Sequence, residues 1–469
     1  MMGILVLGIL ARIFSWSDFL FYDDSYAYAL GGKFFAESLN FSGNMGAMGS
    51  SFLFPIYKSG YAIFSSLFTG IGIDPILAGK IISLGSSLLS TYLFYLLGKK
   101  LLEKKQNLLS LALFGISFVA VAVSTLVLSE SLAVVLILAV ILLILSGRFL
   151  PVLGGIIYFL AILTRPELAL LLPAFLFLSW RNKNLIWFGS GLGVSVIAGI
   201  TFAYFAGIDL SLIWKSALEL LQGNFALKFT GIKTLLFFDY IIFVLGIFGW
   251  FLLKNKSLKI FLALWILPLF LVYLPRDQFR FYALIIPALA LTSGIGVWKI
   301  WGKIISFKKK WLIWVSVVAS IILFGLQVFY IFRPWHPAVS YERAETLELQ
   351  SALNKNSLPK EYVLASIAPE PIFLETGSSV LRIEAKNLRG SIEKFPEKIA
   401  LVWDQALLTQ LPDLAQKIDL AMAGNTFTFF RVDIPYYYKG DKINPQSPVK
   451  IYLMTKEQLL ALIATNQLT

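Results

Sequence analysis

From residue 75 to residue 331 the chain is a succession of apolar runs joined by short loops that hold most of the charge. In a bilayer every backbone polar group must be satisfied within its own segment, so such runs can cross only as helices. A crossing of about 30 Å takes about 20 residues at about 1.5 Å each, fewer where a segment is short or partly buried by its neighbours. The runs lie at 75–98, 106–124, 130–147, 149–163, 168–180, 185–206, 234–253, 260–274, 281–298 and 311–331. Residues 1–16, apolar apart from Arg12, add a first one. The expectation is a polytopic α-helical membrane protein with about eleven transmembrane helices. Composition agrees: 58% of residues are hydrophobic and 14% charged, where soluble domains keep about a quarter charged.

Several chemistries are excluded by residue type. With no cysteine there are no disulfides, thiolate ligands or thiol nucleophiles, and with one histidine, His336, there is no histidine-based metal cluster. The sequence contains no GxxxxGK[ST] loop, no dinucleotide fingerprint and no HExxH.

The formal net charge of +13 would suit a nucleic acid if it formed one patch, but it is spread over alternate loops. One set carries Lys99, Lys100, Lys104, Lys105, Arg148, Arg181, Lys183, Lys254, Lys256, Lys259, Lys299, Lys303 and 308–310, with Glu103 as its acid. The opposite set carries Asp18, Asp23, Asp24, Glu37, Asp74, Glu130, Glu167, Asp209, Glu219 and Asp277. By the positive-inside rule the first set is cytoplasmic and the second external, in a multi-pass plasma-membrane protein that binds no nucleic acid.

The first external loop, 17–51, holds Phe21-Tyr22-Asp23-Asp24-Ser25-Tyr26-Ala27-Tyr28. A short helix can begin right after the acidic pair, with Asp24 or Ser25 as its cap. The functional alternative is a reactive carboxylate at the membrane surface, as base or metal ligand. Residues 52–73, broken by Pro55 and Lys58, fit a helix lying in the interface. After Ile331 the composition turns polar. Pro334 and Pro337 mark a linker, with His336 beside Trp335 as an interfacial residue. Residues 332–469 then read as a small extracytoplasmic α/β domain: a helix near 341–354, strands at 362–367, 380–383, 399–403, 426–432 and 450–453, and helices at 405–423 and from Lys456.

Three further external stretches carry ionisable residues: Ser129-Glu130, Thr164-Arg165-Pro166-Glu167 and Arg276-Asp277-Gln278-Phe279-Arg280. Any one could merely anchor a helix end among headgroups. Together they bring carboxylates, suited to a base or hard divalent cation, and arginines, suited to a phosphate, to one leaflet. That is equipment for an acceptor nucleophile attacking a phosphate-bearing lipid substrate. A transporter or flippase of lipid-linked or small solutes is the alternative. It would show repeated halves and charges near the midplane, whereas here no repeat is evident and the charges sit at helix ends. A non-catalytic assembly factor for envelope polymers is a third reading.

The order of these features resembles the GT-C class of integral-membrane glycosyltransferases, in the branch of the protein O-mannosyltransferases and lipid A aminoarabinose transferases. The features are the outer-loop acidic pair, a Pro-led interfacial helix, Ser-Glu, Thr-Arg-Pro-Glu, and Arg-x-x-x-Arg-Phe-Tyr over 276–282. The resemblance implies a transmembrane glycosyltransferase domain over 1–331, with a long first outer loop over 17–74, and an extracytoplasmic domain over 332–469. It implies a polyprenyl-phosphate sugar donor, a protein, lipid or envelope-glycan acceptor, and an inverting single displacement on the outer face. Asp23 or Asp24 would act as base. Adjacent residues point about 100° apart on a helix, so one of them is the base, Asp23 for preference, with Asp24 positioning or capping. Glu130 matches the second outer-loop acid and, with Asp23, would hold any Mg or Mn. Arg165 and Arg280 would take the lipid phosphate, with Tyr28, Glu167, Arg276 and Tyr282 completing the substrate-binding set. The Trp-Trp-Asp-Tyr-Gly motif of oligosaccharyltransferases is absent, Trp403-Asp404 lacking its context, which disfavours whole-oligosaccharide transfer to asparagine.

The charge alternation predicts that single cysteines placed at Lys104 or Lys303 of this cysteine-free chain react with a membrane-impermeant maleimide only after the cells are opened. Labelling at Lys104 in intact cells would reverse the orientation.

Overall fold

A computed structural model describes residues 2–14, 22–45, 51–52, 59–147, 149–205, 235–236, 239–274, 279–306, 318, 325, 349–350, 353, 358, 361–421, 426–428, 436–438, 441–443 and 450–464. The expected span 311–331, the linker with His336, Arg276, Asp277, Asp18 and most of the helix near 341–354 lie outside them. The chain divides into two compact units, Met1–Trp16 with Pro55–His336, and Ser17–Phe54 with Pro337–Thr469. Of the expected first outer loop, 17–74, residues 17–54 group with the C-terminal part of the chain and residues 55–74 with the first unit.

The first unit is helical. Its elements are α1 (Met2–Phe14), α3 (Ser59–Thr69), α4 (Pro75–Leu101), α5 (Lys104–Gly115), α6 (Phe118–Ala122), α7 (Ser129–Ile144), α8 (Leu150–Thr164), α9 (Leu172–Arg181), α10 (Leu185–Phe205), α11 (Tyr240–Leu252), α12 (Lys256–Tyr273) and α13 (Ile286–Ser306). Two 3₁₀ helices, Pro166–Leu171 and Phe279–Leu284, precede α9 and α13. Among the described residues three helices, α4, α10 and α12, are long and apolar enough to cross a membrane, and α7, α8 and α11 are shorter apolar helices.

Arg12, the one charge in the first apolar run, is buried between α1, α4 and α5. Its Nε donates to Ser87 Oγ at 2.7 Å and its Nη1 to the carbonyls of Gly8 (2.8 Å) and Gly115 (3.2 Å). A Cβ on Gly8 would meet Gly115 Cα at 3.3 Å, so glycine lets α1 approach α5 closely enough for that bond.

The expected span 106–124 is broken at Ile116 and Ser117, and the cause lies far along the chain. Asp239, fully buried at the start of α11, accepts hydrogen bonds from Ser117 Oγ (2.9 Å) and from the backbone N–H groups of Phe118 and Val119 (both 3.0 Å). The carboxylate satisfies amides at the start of α6 that an unbroken helix would have paired internally.

In the second unit, β1 (Gly43–Asn44) and β2 (Ser51–Phe52) form an antiparallel pair, and β3 (Val363–Ser366), β4 (Val380–Arg382), β5 (Lys398–Trp403), β6 (Thr426–Thr428) and β9 (Lys450–Thr455) form a sheet of order β4-β3-β5-β9-β6. Strands β4, β3 and β5 run parallel, while β9 is antiparallel to β5 and β6. Period-two alternation sorts β5 onto two cores: Ile399, Leu401 and Trp403 face one, Ala400 and Val402 the other. The sheet is therefore covered on both faces, as the apolar strand pattern requires. The expected helix 405–423 is two helices, Gln405–Gln410 and Pro412–Ala421, because Pro412 stops the first. Unforeseen elements are a helix, Pro369–Thr376, and a hairpin of β7 (Tyr436–Tyr438) and β8 (Asp441–Ile443).

Asp419 bonds Lys450 and the Tyr452 hydroxyl. Burial raises its carboxyl pKa, but those two bonds and the Lys450 charge pull it net below the ordinary value. Burial, and then the bond to Asp419, push the Tyr452 hydroxyl upward.

Helix α2 (Tyr22–Ser38) belongs to this unit. It packs on Pro369–Thr376 through stacked Phe34 and Phe373 (centroids 6.2 Å apart), with Lys33 Nζ 4.9 Å from the Phe373 ring centroid.

Asp239→Ala strands two buried amides and a hydroxyl. Since a hydrogen bond to a charged group is worth about 1.5–3 kcal/mol, the variant should lose roughly 3 kcal/mol or more, read as a lower Tm of the detergent-purified protein. Asp239→Asn, which keeps one carbonyl acceptor, should lose less.

Candidate functional site

The charged residues at one end of the first unit's helices come together through local chain chemistry. Glu130 is the second residue of α7, so its carboxylate sits in the first turn, where the helix dipole favours negative charge. Pro166 stops α8 at Thr164 and holds Arg165 extended (φ −147°, ψ 104°). The 3₁₀ helix that Pro166 starts then carries Glu167 in its first turn. Gly60 on α3 packs against this corner: a Cβ there would meet Thr164 Oγ1 at 2.4 Å.

Arg165 donates through Nη1 to Glu130 Oε1 at 2.6 Å and through Nη2 to Glu167 Oε1 at 2.9 Å. Arg280, from the 3₁₀ helix Phe279–Leu284, brings Nε to 3.9 Å from the same Glu130 oxygen, beyond hydrogen-bond length. Phe281 underlies both cations, its centroid 5.2 Å from the Arg165 guanidinium carbon and 5.0 Å from that of Arg280. Glu130 is 0% exposed, Arg165 3% and Arg280 7%. The second Glu130 oxygen, Oε2, is buried and meets no hydrogen-bond donor among the described residues. Buried carboxylate oxygens are normally paired, so Oε2 stands out as a buried acceptor with no donor among those residues.

Of the residues expected at the site, Glu130, Arg165, Glu167 and Arg280 are therefore adjacent. Tyr282 is buried, and its hydroxyl donates to the Tyr273 carbonyl at 2.7 Å, tying its 3₁₀ helix to the end of α12. Asp23, Asp24 and Tyr28 lie on α2 of the other unit, with Tyr28 buried. That helix starts at Tyr22, so both acids fall in its first turn rather than ahead of it.

Sequence reasoning passed over Tyr61 and Lys80, and gave Phe281 no role beyond its place in the Arg-x-x-x-Arg-Phe-Tyr stretch. Tyr61 donates to Gly79 O at 2.7 Å and lies 2.9 Å from Ser83 Oγ, and Ser83 in turn donates to the carbonyl of Leu128, two residues before Glu130. Lys80, next to Gly79 in α4, is 3% exposed. Its signal was present, since an ionisable residue inside an apolar span marks function by default. Phe281 carried no such signal.

Among the described residues no three His, Cys, Asp or Glu side chains converge, and the bonded oxygen of Glu130 already faces two guanidiniums; the other expected metal ligand, Asp23, lies on α2 of the second unit.

No family model matches the sequence, and no curated protein matches it significantly. Solved structures do match in fold. ArnT from Cupriavidus metallidurans bound to undecaprenyl phosphate superposes with a TM-score of 0.62 at 11% identity, over 96% of each chain. The archaeal oligosaccharyltransferase AglB from Archaeoglobus fulgidus, in complex with an inhibitory peptide and a dolichol-phosphate, gives 0.59 at 11% identity, over 95% of this chain and 74% of that one. AglB in complex with Zn and sulfate gives 0.54 at 12% identity, over 97% and 75%. The chain thus has the GT-C membrane fold that its order of motifs led one to expect.

Removing one partner of a buried ion pair costs about 3–5 kcal/mol, because the other charge stays behind. Arg165→Gln should therefore depress Tm and yield strongly, and Arg165→Gln combined with Glu130→Gln should recover part of the loss. Additive losses in the double variant would show that the two side chains act independently.

Proposed function

We propose that this protein is an integral-membrane glycosyltransferase that moves a sugar from a polyprenyl-phosphate-linked donor to an acceptor by one inverting displacement. The observation that carries the reading is the buried Glu130–Arg165–Glu167–Arg280 cluster, at helix ends, in a fold shared with structures bound to polyprenyl phosphates. In the proposed step an acceptor hydroxyl or amine attacks the anomeric carbon and its proton passes to a carboxylate. The bond from that carbon to the phosphate oxygen breaks, and the lipid phosphate leaves with the electron pair. General-base help of this kind is typically worth about 10²–10⁴ in rate.

The contacts of the two arginines support the roles we give them. Arg165, its fork shared between Glu130 and Glu167, orients Glu130. Arg280, in the longer contact, takes the leaving phosphate, where a planar bidentate donor suits the ligand. Asp23, with Asp24 beside it, supplies the base, and Tyr28 supports their helix. Arg276 is a further candidate for the phosphate. About eleven crossings, an external site and external residues 332–469 in the plasma membrane complete the reading, on the strength of the loop charges.

The deciding experiment incubates purified protein with a panel of labelled polyprenyl-phosphate sugars and follows release of the lipid phosphate. No release from any donor would overturn the enzyme reading. Given an active donor, Asp23→Asn or Asp24→Asn should abolish transfer with Tm near wild type. Arg280→Lys should raise the donor KM, and Arg280→Ala should raise it further, by roughly 1.5–3 kcal/mol of lost contact. A headgroup anchor would leave KM unchanged in both.

A further inference from the structure

At the opposite end of the first unit, α11 and α12 meet at the turn of residues 253–255. Helix α11 packs along α13, while α12 packs on α9, on the 3₁₀ helices and on α13. Along α12, with Trp250 of α11 at its mouth, runs a groove of about 470 Å³, lined by Lys256, Lys259, Ile260, Ala263, Leu264 and Leu267, with Pro268 at its far end. Pro268 lies inside α12, where it cannot donate to the Leu264 carbonyl and so bends the helix. From Lys259 to Pro268 the groove wall runs roughly 14 Å at the α-helical rise, close to half of a hydrocarbon core of about 30 Å. That is the depth of a single leaflet.

The two lysines sit where helix physics does not favour them. Lys256 and Lys259 occupy the first turn of α12, the positive end of the helix dipole, where cations are destabilising. Neither pairs with a carboxylate among the described residues. Lys259 Nζ donates to the Phe251 carbonyl at 3.3 Å and lies 4.7 Å from the Trp250 ring centroid, while Trp250 Nε1 donates to Lys259 O at 3.1 Å. Trp250 thereby closes the charged end of an otherwise apolar slot and fixes Lys259 at its mouth. Lys254, exposed at the same turn, adds a third cation. A basic mouth at the interface above an apolar groove one leaflet deep matches, in charge and length, one anionic phospholipid.

We infer that the α11–α12 groove is a binding site for an anionic phospholipid of the lysine-side leaflet, its phosphate held by Lys256 and Lys259 and one acyl chain lying along Leu264 and Leu267. This site is separate from the proposed donor site, and its occupant is a structural or regulatory lipid.

The test titrates the delipidated full-length protein in detergent with phosphatidylglycerol or phosphatidylcholine, counting bound lipid by native mass spectrometry. Wild type should retain phosphatidylglycerol preferentially. Lys256→Gln with Lys259→Gln should weaken it roughly thirtyfold, at about a factor of five per lysine near the surface, and leave phosphatidylcholine binding unchanged. Lys→Arg at both positions should preserve the preference. Ala263→Trp, which fills the slot but leaves the charges, should abolish it, as should replacing the lipid by glycerol 3-phosphate. Lys299→Gln with Lys303→Gln, removing cations on α13, should have no effect. Equal retention of the two lipids, an unaffected lysine double variant, or an equal loss in the α13 control would overturn the site.

Discussion

The buried ion pair between Arg165 and Glu130 is the contact on which the rest of the first unit depends. An ion taken out of water costs several kcal/mol unless an opposite charge and hydrogen bonds replace its hydration. Glu130 and Arg165 are 35 residues apart in sequence, and Arg280 more than a hundred further on, so meeting that cost pins the start of α7, the end of α8 and the approach to α13 to one place. The local devices serve this one requirement. Pro166 turns the chain out of α8 so that Arg165 can reach across, and Gly60 lets α3 sit against the corner. Phe281 offers a π face to both buried cations.

Two other buried charges obey the same rule and show why Glu130 differs. Asp239 divides three donors between its two oxygens, all supplied by the start of α6. Arg12 is met by a hydroxyl, two carbonyls and the face of Phe114. Neither faces an opposite charge in those contacts, and each stitches helices that are distant in sequence. Glu130 instead has one oxygen crowded by guanidiniums and the other without a donor among the described residues.

Most of the helices were legible in the sequence because hydropathy and punctuation are local: Pro75, Pro151 and Pro166 each stand at a helix start. The four-residue cluster was legible for a related reason, since loop charges assign helix ends to a leaflet before any contact is known. The break at Ser117 was not, because its capping partner is 122 residues away and the run itself is uniformly apolar. Nor was the partner of α2, because a loop with an acidic pair and many aromatics does not encode which surface it will pack on. Tyr282 resembled a substrate contact by its neighbourhood in the chain, yet its hydroxyl has a backbone partner that only the 3₁₀ turn brings near. Local pattern finds elements and ends, whereas hydrogen-bond partners across the bundle are set by packing.

The two arginines are not equivalent in how they meet Glu130. Arg165 holds its carboxylate by a hydrogen bond of 2.6 Å and shares the same fork with Glu167 at 2.9 Å. Arg280 meets the same oxygen at 3.9 Å, a contact that is electrostatic but not a hydrogen bond. Losing the first contact would strand a buried carboxylate, which is costly, whereas the second adds opposite charge without fixing a direction. Arg165 is therefore the contact that sets the orientation of Glu130, and Arg280 the one that adds charge beside it.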